Sequence, residues 1–150
     1  MSLSHGESET RFVRDRVIEL VQEAGFALVT DTWDDEDGWR GEFLKRGRED
    51  DVILVAHKPQ GAPYVTLGSA VPMAAPGDPE GLRAVIDAVS DYDCAFWFQK
   101  AATPLCHLTS RLFVSGLNHD DFHFHLTNLL LCREGVLEMV SERRGGEAGS

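Results

Sequence analysis

Apolar positions change period several times along the chain, and each change marks an element. Val13, Val17, Leu20, Val21 and Ala24 recur at i, i+4, i+7, i+8 and i+11, which is one helical face, and Gly25 supplies a C-terminal stop. This spacing predicts a helix over residues 9–24. Four β-rich runs follow at 26–32, 39–45, 52–56 and 64–71, each bounded by turn chemistry. The acidic turn Asp34-Asp35-Glu36-Asp37-Gly38 joins the first two as a hairpin, and Arg46-Gly47-Arg48-Glu49-Asp50 makes the next turn. The third run, Val52-Ile53-Leu54-Val55-Ala56, is apolar on both faces, the mark of a central strand covered on both sides or at an interface. Short connections of this kind predict an antiparallel meander.

Asp78-Pro79-Glu80 combines an N-cap acceptor, a first-turn proline and a first-turn acid. Leu82, Val85, Ile86 and Val89 supply the stripe behind them, so a second helix spans 79–90. Cys94-Ala95-Phe96-Trp97-Phe98 is too apolar for a strand with one wet face. Residues 107–115 alternate Leu108, Ser110, Leu112 and Val114 against Thr109, Arg111 and Phe113, a sixth strand. Asn118 caps a third helix running to about residue 142, with Phe122, Leu126, Leu129, Leu130, Leu137 and Val140 as its inward stripe. The expected fold is one α+β domain, α-β-β-β-β-α-β-β-α, with an antiparallel sheet and frayed polar ends.

Composition narrows the partners. The chain has 150 residues, 43% of them apolar, and a formal charge of −11. A surface this acidic repels phosphate backbones, so direct nucleic-acid binding is not expected, whereas a basic protein partner is attracted. No apolar run exceeds five residues, far short of the roughly 20 that span a bilayer, so neither membrane insertion nor export is expected. Cys94, Cys106 and Cys132 are odd in number and lack a C-x-x-C pair, which fits reduced thiols in a cytoplasm.

Candidate chemistry is sparse. His119 and His123 stand four apart on a helix and share a face, so they could hold zinc with a third ligand from elsewhere. Both also continue the inward apolar stripe, and partly buried packing is the simpler expectation; no metal is assigned. The acidic stretch Asp31 to Glu42 fails the calcium-loop pattern, because a start at Asp31 places Trp33 third and Glu36 sixth, and reads as a solvated hairpin tip. Cys106 and His107, adjacent on a strand, point to opposite sides and cannot pair. Phosphate-loop, dinucleotide and nucleophile-elbow motifs do not occur, and neither a catalytic residue nor a cofactor is expected.

Surplus apolar residues are more informative. Away from its inward stripe the third helix carries Phe124, Asn128, Leu131, Cys132, Gly135 and Met139, and the second helix shows Gly81, Ala84 and Ala88 beside its stripe. Large exposed apolar patches mark surfaces that meet another polypeptide.

The element order, small size and acidity resemble the class I type III secretion chaperones and the bacterial YbjN-like proteins of the same fold. So does the final helix following the strand Ser110-Arg111-Leu112-Phe113-Val114-Ser115-Gly116-Leu117-Asn118. The likeness spans about residues 9–142; four strands before the second helix, where secretion chaperones commonly have three, favour the YbjN-like branch. The resemblance implies a non-enzymatic homodimer that binds a segment of a partner protein. Mapped residue by residue, self-association falls on Gly81, Ala84, Ala88, Phe96, Trp97 and Phe98. Phe124, Leu131 and Met139 are the expected partner-binding positions, and the acidity suits a basic client such as a DNA-handling protein. Two other readings stand beside it: a metal-dependent enzyme centred on His119 and His123, and an immunity or inhibitor protein whose acidic hairpin, Asp31 to Asp37, plugs a basic site.

Overall fold

A computed structural model describes residues 5–34, 38–45, 47–57, 64–72, 79–92, 94–99 and 105–148. The elements are α1 (His5–Glu23), β1 (Phe26–Asp34), β2 (Gly38–Lys45), β3 (Arg48–His57), β4 (Tyr64–Pro72), α2 (Pro79–Ser90), β5 (Ala95–Gln99), β6 (Leu105–Phe113), a short 3-10 turn (Val114–Gly116) and α3 (His119–Ala148). The strands form a six-stranded antiparallel sheet in the order β1-β2-β3-β4-β6-β5. The expected α+β order is therefore present. Its ends differ: α1 begins at His5 and α3 runs to Ala148, each further than the apolar stripe reached. Residues 48–50, expected in a turn, belong to β3, while Asp35, Glu36 and Asp37 lie outside the described residues.

Close contacts divide the chain into two compact units, Met1–Gly68 with Arg111–Leu126, and Ser69–Ser110 with Thr127–Ser150. In the first, α1 packs on β1, β2 and β3. Val13, Val17, Leu20 and Val21 are buried, as their spacing requires. Gly25, with φ of 94°, ends the helix in a conformation that side chains rarely adopt. Trp39, Gly41 and Phe43 alternate onto the buried side of β2, opposite His57, Val55 and Ile53 of β3. The other side of β3, Val52, Leu54 and Ala56, is only half buried. His57 faces α1, joined to the buried Thr10 hydroxyl by a 2.9 Å hydrogen bond, and burial pushes its pKa down, keeping the ring neutral.

Two features hold Trp39 in place. Its indole lies over Gly41, where an added Cβ would stand 2.7 Å from the ring. Its N–H donates to Asp31 at 2.7 Å, and Arg14 on α1 grips both oxygens of the same carboxylate. The guanidinium hydrogen bond, followed by that of the indole, holds the Asp31 carboxyl below the usual aspartate range.

In the second unit, β5 and β6 pair with Phe96 opposite Leu108 and Phe98 opposite Cys106. Cys106, Leu108 and Ser110 are buried. α2 and α3 approach closely there, since a methyl group on Gly135 would meet Ala88 Cβ at 3.8 Å.

Gly41→Ala will drive a methyl group into a buried indole and lower the unfolding free energy by about 2 kcal/mol, measured by urea denaturation. For Asp31, the depressed pKa means stability that is present above the unfolded value of about 4 and lost as pH falls through the folded one. Asp31→Asn should therefore cost about 1 kcal/mol at pH 7, and the difference from wild type should vanish in acid; a difference independent of pH would contradict the assignment.

Candidate interaction surface

β5 is an edge strand, next only to β6 in the strand order, so one side of its backbone carries no partner strand among the described residues. Such an edge is a template for another chain. Both its faces are apolar. Phe96 and Phe98 share the side of Leu108 and Cys106, meet edge to face at 5.5 Å and remain half exposed. Trp97 points the other way and stacks flat on His107, ring centroids 4.0 Å apart and 7° from parallel, yet 51% of it stays exposed. A 2.7 Å hydrogen bond between His107 Nε2 and Gln99 Oε1 fixes the imidazole under the indole. Partial burial lowers the pKa of His107, which favours an uncharged stacking partner.

α2 corrects the expected faces. Val85 and Val89 are buried as anticipated, but Leu82 and Ile86 are 40% and 44% exposed. Ala88, expected on the self-association surface, is buried against the helix at Gly135. The inward arc is rotated toward the alanine because a small side chain permits close helix approach, a geometric preference that hydrophobicity alone does not rank. The surroundings of Gly81 and Ala84 lie outside the described residues.

α3 is rotated likewise. Its buried line is Phe122, Leu126, Leu129, Cys132, Arg133 and Val136, and Leu130 and Leu137, expected inside, are half exposed. Cys132 leaves the expected outer face for the core. The expected stripe took in the large apolar Leu130 and Leu137, which flank the buried face, in place of Cys132 and Val136, which lie on it. Phe124 is 67% exposed and Leu131 44%, seven residues apart on one side of the helix, while Met139 is half buried. An aromatic pair missed from sequence lies in the first unit: Tyr64 and Phe113, centroids 5.2 Å apart, with the Arg111 guanidinium 5.9 Å from the Tyr64 ring. The alternation of β6 carried that signal, since it set Phe113 on the polar side with Thr109 and Arg111.

The cysteines and acids are placed as follows. Cys106 is buried and His107 faces the other side of β6, so the two do not pair. Burial pushes the Cys106 thiol up to about 11. Cys132 is raised by its hydrogen bond with Cys94 and by burial, so neither buried thiol ionises at neutral pH. Of the acidic hairpin, Asp31 is occupied by Arg14 and Trp39. The expectation that His119 packs inside does not hold: its side chain is exposed, with Nδ1 3.2 Å from Glu23 Oε2.

No family model matches this chain, and no curated protein matches it. Among solved structures it is similar to the crystal structure of an uncharacterized protein from Methanothermobacter thermautotrophicus. The likeness has a TM-score of 0.66 at 18% identity and covers 87% of this chain and 98% of that one. It establishes the fold. Among the described residues, no helix is long and apolar enough to cross a membrane.

The outward placement of Leu82 and Ile86 is open to a direct check. Leu82→Gln and Ile86→Gln should each leave the unfolding free energy of dilute protein within about 0.5 kcal/mol. Val85→Ala, emptying a buried site on the same helix, should lower it by about 2 kcal/mol.

Proposed function

We propose that this chain is a non-enzymatic, cytoplasmic chaperone-like or adaptor protein, of the YbjN-like and secretion-chaperone kind, that pairs with a second copy of itself and holds a segment of another protein. One observation carries the reading: Trp97 stands half exposed on an edge strand that, among the described residues, has no partner strand on one side. An exposed tryptophan costs solvation that a partner surface recovers, and large aromatic anchors dominate protein interfaces. Phe96 and Phe98 beside it, and the outward Leu82 and Ile86 of the same unit, supply further apolar area. Pairing of two β5 edges would satisfy outward backbone groups while stacking those side chains.

The client surface is assigned to α3. Phe124 and Leu131 present two apolar anchors on one helical side, with Met139 as an adaptable neighbour. The net charge of −11 and only three lysines favour a basic client, such as a protein that handles DNA, over nucleic acid itself. An odd number of cysteines without a C-x-x-C pair is consistent with a reducing compartment.

Light scattering coupled to size exclusion tests the self-association. Wild-type protein at micromolar concentration should have twice the chain mass. Trp97→Arg should run as a folded monomer with an unchanged circular dichroism spectrum, because the new charge sits in water in the protomer but is buried unpaired in the dimer. A wild-type protein that is monomeric at tens of micromolar would overturn the reading.

A further inference from the structure

Three side chains with metal-ligand chemistry converge in the first unit, none of them assigned to a surface above. Glu23 is the last residue of α1, and His119 and His123 occupy successive turns at the start of α3. One ligand atom from each lies within 4.8 Å of the other two. His119 Nδ1 is already 3.2 Å from Glu23 Oε2, and the two imidazole centroids are 4.3 Å apart.

The elements bearing them are held in place. Asn118 caps α3 by accepting from the Asp121 backbone N–H at 2.9 Å and donating its amide to the Asp121 carboxylate at 2.8 Å. Arg16 on α1 donates to the carbonyl of Leu117, just ahead of that cap, at 3.1 Å. Helix geometry then sets the two histidines on one side, facing the end of α1. A second observation singles out His123. Its Nε2 is shielded from solvent and has no hydrogen-bond partner among the described residues, an arrangement that a protein ordinarily avoids and that a bound ligand would relieve.

We propose that Glu23, His119 and His123 form a zinc site that fastens the C-terminal end of α1 to the first turns of α3, with water in the remaining position. Two imidazoles and one carboxylate are a donor set for a borderline-soft divalent ion, not for calcium or magnesium, which take oxygen ligands. Ligand bonds of about 2.1 Å set neighbouring donor atoms about 3.4 Å apart in a tetrahedron. The cluster thus has to contract by roughly an ångström, which the exposed side chains of His119 and Glu23 are free to do. The carboxylate also sits at the negative end of the α1 dipole, where a cation is favoured. Because the ligands come from helices 96 residues apart in sequence, zinc binds the folded chain and stabilises it.

The test uses full-length protein without a polyhistidine tag, stripped with a chelator and titrated with zinc. One zinc per chain is expected by calorimetry and elemental analysis, together with a higher thermal midpoint. His119→Ala, His123→Ala and Glu23→Gln should each weaken binding at least tenfold and abolish the thermal shift. Circular dichroism reports whether each variant is folded; His119 and Glu23 are exposed, so their variants keep the test decisive should His123→Ala misfold. Cobalt(II) in place of zinc should give a four-coordinate visible spectrum without thiolate charge-transfer bands. No zinc uptake, uptake unchanged in the His119 and Glu23 variants, or thiolate bands pointing to the cysteines would each overturn the site.

Discussion

One buried indole sets the geometry of the first unit. Trp39 is too large to sit beside a second side chain on its strand face, so Gly41 lies beneath it. Its N–H, taken from water, needs an acceptor, and Asp31 provides one. A carboxylate in that position needs its own charge met, and Arg14 of α1 meets it. Each demand arises from the one before, and together they tie β2 to β1 and both to α1. An aspartate that the sequence places near an acidic hairpin tip is thereby committed to structure.

The second unit is arranged so that apolar chemistry remains at a strand edge. β5 needs large side chains on its Phe96 and Phe98 side to meet β6, and carries Trp97 on the other. Stacking on His107 orders the indole without burying it. Order without burial is a useful state for an interface residue, because the side-chain entropy is already lost before a partner arrives. The outward Leu82 and Ile86 of α2 extend the same apolar character. The proposed self-association draws on this surface, and the buried Cys106 and Cys132 thiols stay neutral at physiological pH.

The histidine cluster illustrates how one pattern supports two opposite readings. Four-residue spacing puts His119 and His123 on one side of a helix whether that side packs or binds. What favours the proposed site is the nearness of Glu23, distant in sequence, and the solvent-shielded Nε2 of His123. Neither is a property of the helix on its own.

Element order, strand alternation, the capped start of α3 and the α+β class were legible in the chain, because they rest on local periods and on turn and cap chemistry within a few residues; Asp78, the expected cap of α2, lies outside the described residues. The exposed Trp97, Phe124 and Leu131 were legible too, as apolar residues beyond what one face can absorb. Helix rotation was not. Which side of α2 or α3 turns inward depends on close approach between Ala88 and Gly135 and on a buried Arg133, and packing energies of that kind exist only once distant segments meet. The pairing of Glu23 with His119 and of Arg14 with Asp31 was settled in the same way. Local chemistry determines which elements form; contacts between residues far apart along the chain determine which of their faces stay in water.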